Sequence, residues 1–186
     1  PVPSTPLTRE PSSMVAERFF ETDSVEATLE LAEAIGRLLG ADMVVTLDGE
    51  LGTGKTTFTR GLARGLDVTE PVSSPSYTLM HSYPGRHELY HFDAWMEGRE
   101  AAFLDGGGAE WLRAGGVAVV EWAARVVAWV PEERREVQLE HRGVGAAEPW
   151  LDGRRGVRLL ARVATAEALL DRLEAPEEVT EFDAKT

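Results

Sequence analysis

The segment from Met43 to Leu66 constrains the fold more than any other part of the chain. It begins with MVVTLDG, a short apolar and β-branched run that is typical of a buried strand. The glycine-rich stretch GELGTGKTTF follows, and TTFTRGLARGL then places apolar residues at helical spacing. A strand, a glycine loop and a helix in this order indicate an α/β domain whose sheet is at least partly parallel.

The glycine-rich stretch fits the phosphate-loop pattern G-x-x-x-x-G-K-T from Gly49 to Thr56. Backbone N–H groups of such a loop turn inward around a phosphate, and side chains at Gly49 and Gly54 would block them. The helix that begins near Lys55 directs its positive end at the same phosphates. The Thr56 hydroxyl can ligate Mg²⁺. The pattern therefore predicts a site for ATP or ADP with Mg²⁺.

Lys55 stands out because the chain otherwise uses arginine. Only two of its 19 basic residues are lysines, Lys55 and Lys185. A compact ammonium on a flexible stem reaches the β- and γ-phosphate oxygens, whereas the broad guanidinium group fits such a loop poorly. We therefore predict that Lys55 binds the phosphates and acts in catalysis.

Two carboxylates are candidates for the second half of such a site. Asp93 ends the run LYHFD, and Glu121 ends the run VAVVE. A phosphate-loop enzyme needs an acid at the end of an apolar strand, to hold Mg²⁺ or to position water. Glu121 follows the more apolar run, so we favour it as the metal partner of Thr56. Asp93 is then the candidate that holds or activates the attacking water.

The rest of the chain predicts a three-layer phosphate-loop NTPase fold with a mixed, partly parallel central sheet. YTLMHSY and HELYHF flank a PGR turn and predict an antiparallel hairpin, and REVQLEH and GVRLLARV predict further strands. Asp23 with Glu26 resembles a capping box at the start of a first helix, and Ala166–Leu173 predicts a last one. We expect one domain over residues 18–174, a disordered Pro-, Ser- and Thr-rich tail over 1–17, and a loose acidic tail over 175–186.

Composition narrows the classes of function. The formal net charge of −13 disfavours direct capture of nucleic acid or of an anionic membrane. The 186 residues include no cysteine, which excludes disulfides, thiol nucleophiles and cysteine-ligated zinc. No apolar run reaches the roughly 20 residues that span a bilayer, and the first residues lack the apolar core of a signal peptide. We expect a cytoplasmic protein without membrane contact.

The run HELYH matches the zinc-protease pattern H-E-x-x-H, but we expect no zinc there. That motif needs a helix, which puts both histidines on one face. The run follows a turn in strand-rich sequence, and on a strand His87 and His91 would lie about 13 Å apart. We expect a half-exposed strand with two histidines.

The ordered set of motifs resembles the bacterial TsaE (YjeE) family over roughly residues 20–165. After the phosphate loop come SSPSYTLMHSY, LYHFD and VVEW, in that order and spacing. The resemblance implies a small ATPase that works with the proteins TsaB and TsaD. That pair makes N6-threonylcarbamoyladenosine at tRNA position 37, beside the anticodon, and the ATPase would meet tRNA only through the complex.

The resemblance also implies roles for individual residues. Thr56 and Glu121 would bind Mg²⁺, and Asp93 would be needed for hydrolysis. The resemblance further implies that the loop Gly52–Thr57 holds the phosphates and that the segment near Ser24 approaches the nucleotide. Trp122, directly after Glu121, is expected either near the nucleotide base or in the core. The full set of candidate nucleotide-binding residues is Ser24, Gly49, Gly52, Thr53, Gly54, Lys55, Thr56, Thr57, Ser76 and Trp122. Ser74-Pro75-Ser76 would be a switch-like segment near the γ-phosphate. The chain departs from the family pattern at Ser76, usually Thr, and at residues 94–97, where AWME replaces L-Y-R-L.

Two other functions fit the same phosphate loop. A small-molecule kinase would need an arginine-bearing lid, for which Arg134-Arg135 and Arg154-Arg155 are candidates. Both pairs lie in or beside strand-like sequence, where a solvated edge is the simpler interpretation. The second alternative is a nucleotide-gated binding module, in which ATP orders the SSPSY loop and hydrolysis is incidental.

Overall fold

The computed structural model describes residues 16–96, 98–142, 153–161 and 164–182. Helices cover both faces of one eight-stranded sheet, whose strands run in the order β3-β4-β5-β2-β6-β7-β1-β8. The strands are β1 (Ala16–Thr22), β2 (Met43–Asp48), β3 (Met80–Tyr83), β4 (Leu89–Asp93), β5 (Val117–Glu121), β6 (Arg135–His141), β7 (Arg155–Ala161) and β8 (Val179–Phe182). The helices are α1 (Val25–Leu38), α2 (Lys55–Gly65), α3 (Arg99–Asp105) and α4 (Ala164–Arg172), with 3₁₀ turns at Gly108–Arg113 and Ala123–Val126.

The centre of the sheet is parallel and its flanks are antiparallel. Strands β4, β5, β2 and β6 run parallel to one another, whereas β3 pairs antiparallel with β4, and β7 with β6 and β1. This confirms the predicted mixed sheet and hairpin. The carboxyl ends of the parallel strands meet at one edge of the sheet. Glu121 on β5 therefore has Asp93 of β4 beside it in one direction and Leu47 of β2 in the other.

Two apolar cores enclose the sheet. The larger core packs α1, α2 and α4 against one face, and the smaller one packs α3 and the 3₁₀ turns against the other. Helices α1 and α2 approach closely at Gly65, where a Cβ atom would lie 2.3 Å from the Glu33 carbonyl oxygen. This close packing fixes the position of α2, whose N-terminus carries the glycine loop.

Two of the predicted boundaries were wrong. Helix α1 is capped by Ser24 and not by Asp23, since the Ser24 Oγ accepts a 3.0 Å hydrogen bond from the Ala27 N–H. Strand β1 begins at Ala16, two residues inside the segment predicted to be a tail; residues 1–15 lie outside the described part.

The prediction of a loose acidic tail over residues 175–186 is wrong for β8 (Val179–Phe182). This strand pairs antiparallel with β1 and extends the sheet. Val179 is buried there, and Glu181 accepts two hydrogen bonds from the Arg18 guanidinium at 2.6 and 2.5 Å. The pairing also lowers the pKa of Glu181, mainly through those hydrogen bonds. Among the described residues, no helix is long and apolar enough to cross a membrane.

Candidate nucleotide-binding site

The glycine loop joins β2 to α2 in a conformation that other residues rarely adopt. Gly54 has φ of 100° and immediately precedes α2. Because Gly54 has no side chain, it makes no side-chain hydrogen bond to the first N–H groups of α2. Gly49 has φ of 150°, and a Cβ atom there would lie 2.3 Å from the Leu139 carbonyl oxygen on β6. The loop thus presents backbone N–H groups at a helix N-terminus, which is a ready anion site.

Lys55 is held inside this loop with only 5% of its surface exposed. Its Nζ donates hydrogen bonds to the carbonyl oxygens of Gly49 at 2.7 Å and Glu50 at 2.8 Å. The same ammonium lies 3.6 Å from the centre of the Trp122 ring. Burial lowers the pKa of Lys55, while Glu121 and other nearby carboxylates oppose that shift. The charged form of Lys55 therefore depends on the carboxylates that lie near it.

Glu121 is buried, with 2% exposure, and each of its oxygens has defined partners. Thr56 Oγ1 donates to Oε2 at 3.1 Å, and Thr59 Oγ1 donates to Oε1 at 3.2 Å. His91 Nε2 lies 2.8 Å from Oε1. His91 is fully buried, whereas the half-buried His87 lies in the turn before β4. This corrects the prediction of a half-exposed strand that carries both histidines.

The adjacent oxygens of Thr56 and Glu121 suit Mg²⁺, which prefers hard oxygen ligands. No cluster of three or more His, Asp or Glu side chains in the described ranges could hold a metal ion unaided. Mg²⁺ at this position would therefore need further oxygens from phosphate and water, as is usual for Mg²⁺ in phosphate-loop proteins.

Asp93 connects the loop after α2 to the site. It is 3% exposed, and its Oδ2 accepts hydrogen bonds from the hydroxyls of Ser74 and Ser76, both at 2.6 Å. Its Oδ1 accepts from the Trp95 N–H at 3.1 Å. Leu79, with φ of 70°, closes this segment through a 2.6 Å bond from its N–H to the Pro75 carbonyl. The segment 74–76 is thus fastened to the carboxylate at the end of β4.

These groups surround one cleft of about 330 Å³. Its walls are Leu51, Gly52, Gly54, Lys55, Thr56, Thr57, Ser74, Ser76, Asp93, Trp95, Glu121 and Trp122. The structure thereby brings together most of the residues predicted from the sequence. Gly49 and Thr53 lie in the loop but behind the cleft, with Thr53 fully buried. Ser24 does not line the cleft, and its hydroxyl caps α1 instead.

Trp95 and Trp122 form the aromatic wall of the cleft. Their ring centres are 4.7 Å apart, and the Arg125 guanidinium lies 5.0 Å from Trp95 and 5.4 Å from Trp122. Arg125 also donates a 2.7 Å hydrogen bond to the Trp95 carbonyl. Within the AWME replacement, Trp95 therefore has a place in the site, while Glu97 lies outside the described residues.

Arg155 makes a contact with the loop that the sequence does not predict. The strand-like sequence around it favours a solvated edge, yet Arg155 is 8% exposed and its Nε donates to the Thr53 carbonyl at 3.0 Å. Arg135 is buried as well, at the opposite end of the sheet. No motif signals the contact between Arg155 and the loop, because it depends on the strand order, which places β6 beside β2 and β7 beside β6.

Comparison with known proteins agrees with this architecture. The family model described as "Threonylcarbamoyl adenosine biosynthesis protein TsaE" matches residues 22–147. The tRNA threonylcarbamoyladenosine biosynthesis protein TsaE of Treponema pallidum is 41% identical over 109 residues, which cover 59% of this chain and 81% of that protein. Its Bacillus subtilis counterpart is 36% identical over 125 residues, which cover 67% and 78%.

A solved crystal structure has a similar fold. The crystal structure of Bacillus subtilis YdiB superposes with a TM-score of 0.71 at 32% identity, covering 87% of this chain and 96% of that one. The fold is thus that of a phosphate-loop NTPase. The chain belongs to the TsaE family and has that family's role in tRNA threonylcarbamoyladenosine biosynthesis.

Proposed function

We propose that this protein is a Mg²⁺-dependent ATPase that binds the TsaB–TsaD pair and supports threonylcarbamoylation of adenosine at tRNA position 37. One observation carries the proposal: the loop lysine and the carboxylates of two neighbouring strand ends line a single cleft. These are the parts that phosphoryl transfer to water requires.

The loop and Lys55 would bind the phosphates of ATP. The start of α2, where no side chain caps the first N–H groups, lines the same cleft as Lys55. Phosphate oxygens would replace the carbonyl oxygens of Gly49 and Glu50 as acceptors for Nζ. Since burial disfavours the charged ammonium, an anionic ligand bound beside it would stabilise the charged form.

Thr56 and Glu121 would hold Mg²⁺ at the inner end of the cleft. Bound there, the ion would neutralise charge on the β- and γ-phosphates during transfer. His91 and Thr59 both contact Oε1 of Glu121, and this fixes the direction in which Oε2 faces Thr56. The two buried partners therefore orient the carboxylate before any ligand binds.

Asp93 would orient the attacking water and accept its proton. In the structure its Oδ2 is engaged by Ser74 and Ser76. Since Ser74 and Ser76 line the cleft, their hydroxyls would be able to donate hydrogen bonds to the γ-phosphate of bound ATP. If they donated to the phosphate in place of Asp93, Oδ2 would be free to accept a hydrogen bond from the attacking water. Hydrolysis would thus be coupled to the conformation of the segment 74–76, which is the switch-like role that the family resemblance implies.

The charge of the protein suits a partner-bound role in the cytoplasm. With a net charge of −13 it would not hold tRNA by itself, so contact with tRNA is expected only through TsaB and TsaD. The kinase alternative loses one of its lid candidates, since the buried Arg155 is committed to the loop carbonyls.

The first experiment measures Mg²⁺-dependent ATP hydrolysis by the purified protein, alone and with the TsaB–TsaD pair, with Lys55→Ala as the control. We expect slow hydrolysis that the pair accelerates and that Lys55→Ala abolishes. Hydrolysis indifferent to the pair would remove the partnership and favour a kinase, which phosphate transfer to a panel of metabolites would reveal. Near-normal activity of Lys55→Ala would overturn the phosphate-loop mechanism itself.

A further inference from the structure

We infer that Arg155 is a positioning residue of the phosphate loop, which holds the loop's carbonyl groups away from the nucleotide and places a buried positive charge behind it. The inference rests on the proposed function, because it assigns a role in binding nucleotide phosphates. Arg155 would act through the backbone of the loop and would not touch the nucleotide.

The three nitrogens of the Arg155 guanidinium all face carbonyl oxygens. Nε donates to Thr53 at 3.0 Å, Nη2 lies 3.5 Å from the carbonyl oxygen of Gly52, and Nη1 donates to Arg154 at 2.8 Å. Thr53 and Gly52 are consecutive residues of the loop. The planar guanidinium therefore spans two successive peptide groups, which a single ammonium could not do in the same way.

Holding these carbonyls sets the direction of the N–H groups. In a trans peptide, the C=O of one residue and the N–H of the next point in opposite directions. The Thr53 carbonyl points at Arg155, so the N–H of Gly54 points away from Arg155, to the side of the cleft that Gly54 lines. A loop whose N–H groups already face the phosphates loses less entropy on binding.

Among the described residues, the hydrogen-bond partners of the Arg155 guanidinium are all backbone carbonyl groups. Within the ranges that the structure describes, no carboxylate lies within ion-pair distance of this 8% exposed side chain. A buried charge with only neutral acceptors is costly unless an anion lies nearby. The peptide dipoles of the loop lie between the guanidinium and the cleft, so this charge favours an anion in the cleft over any neutral ligand.

The same strand offers a matched control. Arg158 lies three residues further along β7 and is partly exposed, and it forms a 2.6 Å ion pair with Glu17. It has the same side chain on the same strand, but it donates hydrogen bonds to Glu17 and Gln138, which are outside the phosphate loop. Removing its charge tests the general effect of losing an arginine from β7.

The test compares Arg155→Met, Arg155→Lys and Arg158→Met with the unaltered protein. Calorimetry gives the dissociation constants of Mg²⁺–ADP and Mg²⁺–ATP, and steady-state kinetics give kcat and KM. We expect Arg155→Met to weaken both nucleotides alike, by about 10- to 100-fold, with kcat changed much less than KM. Arg155→Lys should recover part of the affinity, and Arg158→Met should bind normally.

Equal affinity of Arg155→Met and the unaltered protein would overturn the inference, as would equal losses in Arg155→Met and Arg158→Met. If Arg155→Met does not fold, Arg155→Lys decides, because affinity equal to that of the unaltered protein would show that the forked contact is not needed. If the unaltered protein does not bind nucleotide, the proposed function is wrong. If the unaltered protein binds nucleotide and only Lys55→Ala loses affinity, the proposed role of Arg155 is wrong and the proposed function stands.

Discussion

Asp93 is the residue whose contacts give the sharpest prediction about hydrolysis. Asp93→Asn keeps the size of the side chain and one acceptor oxygen but removes the charge that orients water and takes its proton. We expect kcat to fall about 100-fold or more, while the dissociation constant of ATP changes by less than about threefold. Single-turnover hydrolysis and calorimetry measure the two quantities.

Glu88→Gln is the control, since Glu88 is an exposed carboxylate in the same hairpin, just before β4. Normal hydrolysis by Asp93→Asn would contradict the role of Asp93. The variant Asp93→Ala addresses the binding-module alternative: if it binds ATP, cannot hydrolyse it and still supports tRNA modification, nucleotide binding alone is the function.

Asp48, at the end of β2, gives a prediction about pH. Its Oδ1 accepts a 3.0 Å hydrogen bond from the Ala124 N–H. Burial raises its pKa above the ordinary 3.8, and that hydrogen bond only partly opposes the shift. The folded state therefore binds this proton more tightly than the unfolded state does, so the contribution of Asp48 to stability falls as pH rises from 3.8 through the raised pKa.

Asp48→Asn removes the partly buried charge and keeps the acceptor oxygen. We expect this variant to be more stable than the unaltered protein at pH 7, with the difference narrowing as pH falls toward 4. Urea denaturation across that range measures it, with Asp171→Asn on the exposed face of α4 as the control. A difference independent of pH would mean that the Asp48 charge is not what destabilises the folded state.

At the level of elements, the contact between α1 and α2 decides where the phosphate loop sits. Alanine at Gly65 would favour the helix by about 1 kcal/mol through propensity. However, its Cβ would lie 2.3 Å from the Glu33 carbonyl oxygen and 2.6 Å from the Arg37 nitrogen. Both are backbone atoms of α1, so the two helices would have to separate.

We therefore expect Gly65→Ala to lower the free energy of unfolding by about 1–3 kcal/mol, because steric overlap outweighs helix propensity. Gly40→Ala is the control, since the nearest atom to its Cβ would be a side-chain carbon at 3.6 Å. Chemical denaturation compares the two variants. A Gly65→Ala variant as stable as the unaltered protein would show that α1 and α2 can move apart freely.

At the level of the whole molecule, nucleotide binding should stabilise the fold, since the site joins both sides of the sheet. Ligand at 100 times its dissociation constant adds about 2.7 kcal/mol. For a chain of this size that corresponds to a rise in melting temperature of roughly 5–11 °C. Thermal unfolding with Mg²⁺–ADP measures the shift, and Lys55→Ala should show none. No shift in the unaltered protein at millimolar ADP would count against the site.

The candidate site residues and the class of the fold can both be predicted from short stretches of the sequence. Lys55 and Thr56 belong to a loop motif eight residues long, and Asp93 and Glu121 end apolar strands that can be recognised from a few residues. These features are local, so no knowledge of distant parts of the chain was needed. Parallel strands then brought the two acids to one edge of the sheet.

The distant residues that support the site can be identified only from the tertiary structure. Arg155 is 102 residues beyond Thr53, the loop residue that it contacts, and His91 reaches Glu121 only because β4 lies beside β5 in a particular register. The strand β8 likewise exists because the edge of β1 is available to pair with it. Such contacts depend on strand order and register, which are set by how all the elements pack together and leave no local pattern in the sequence.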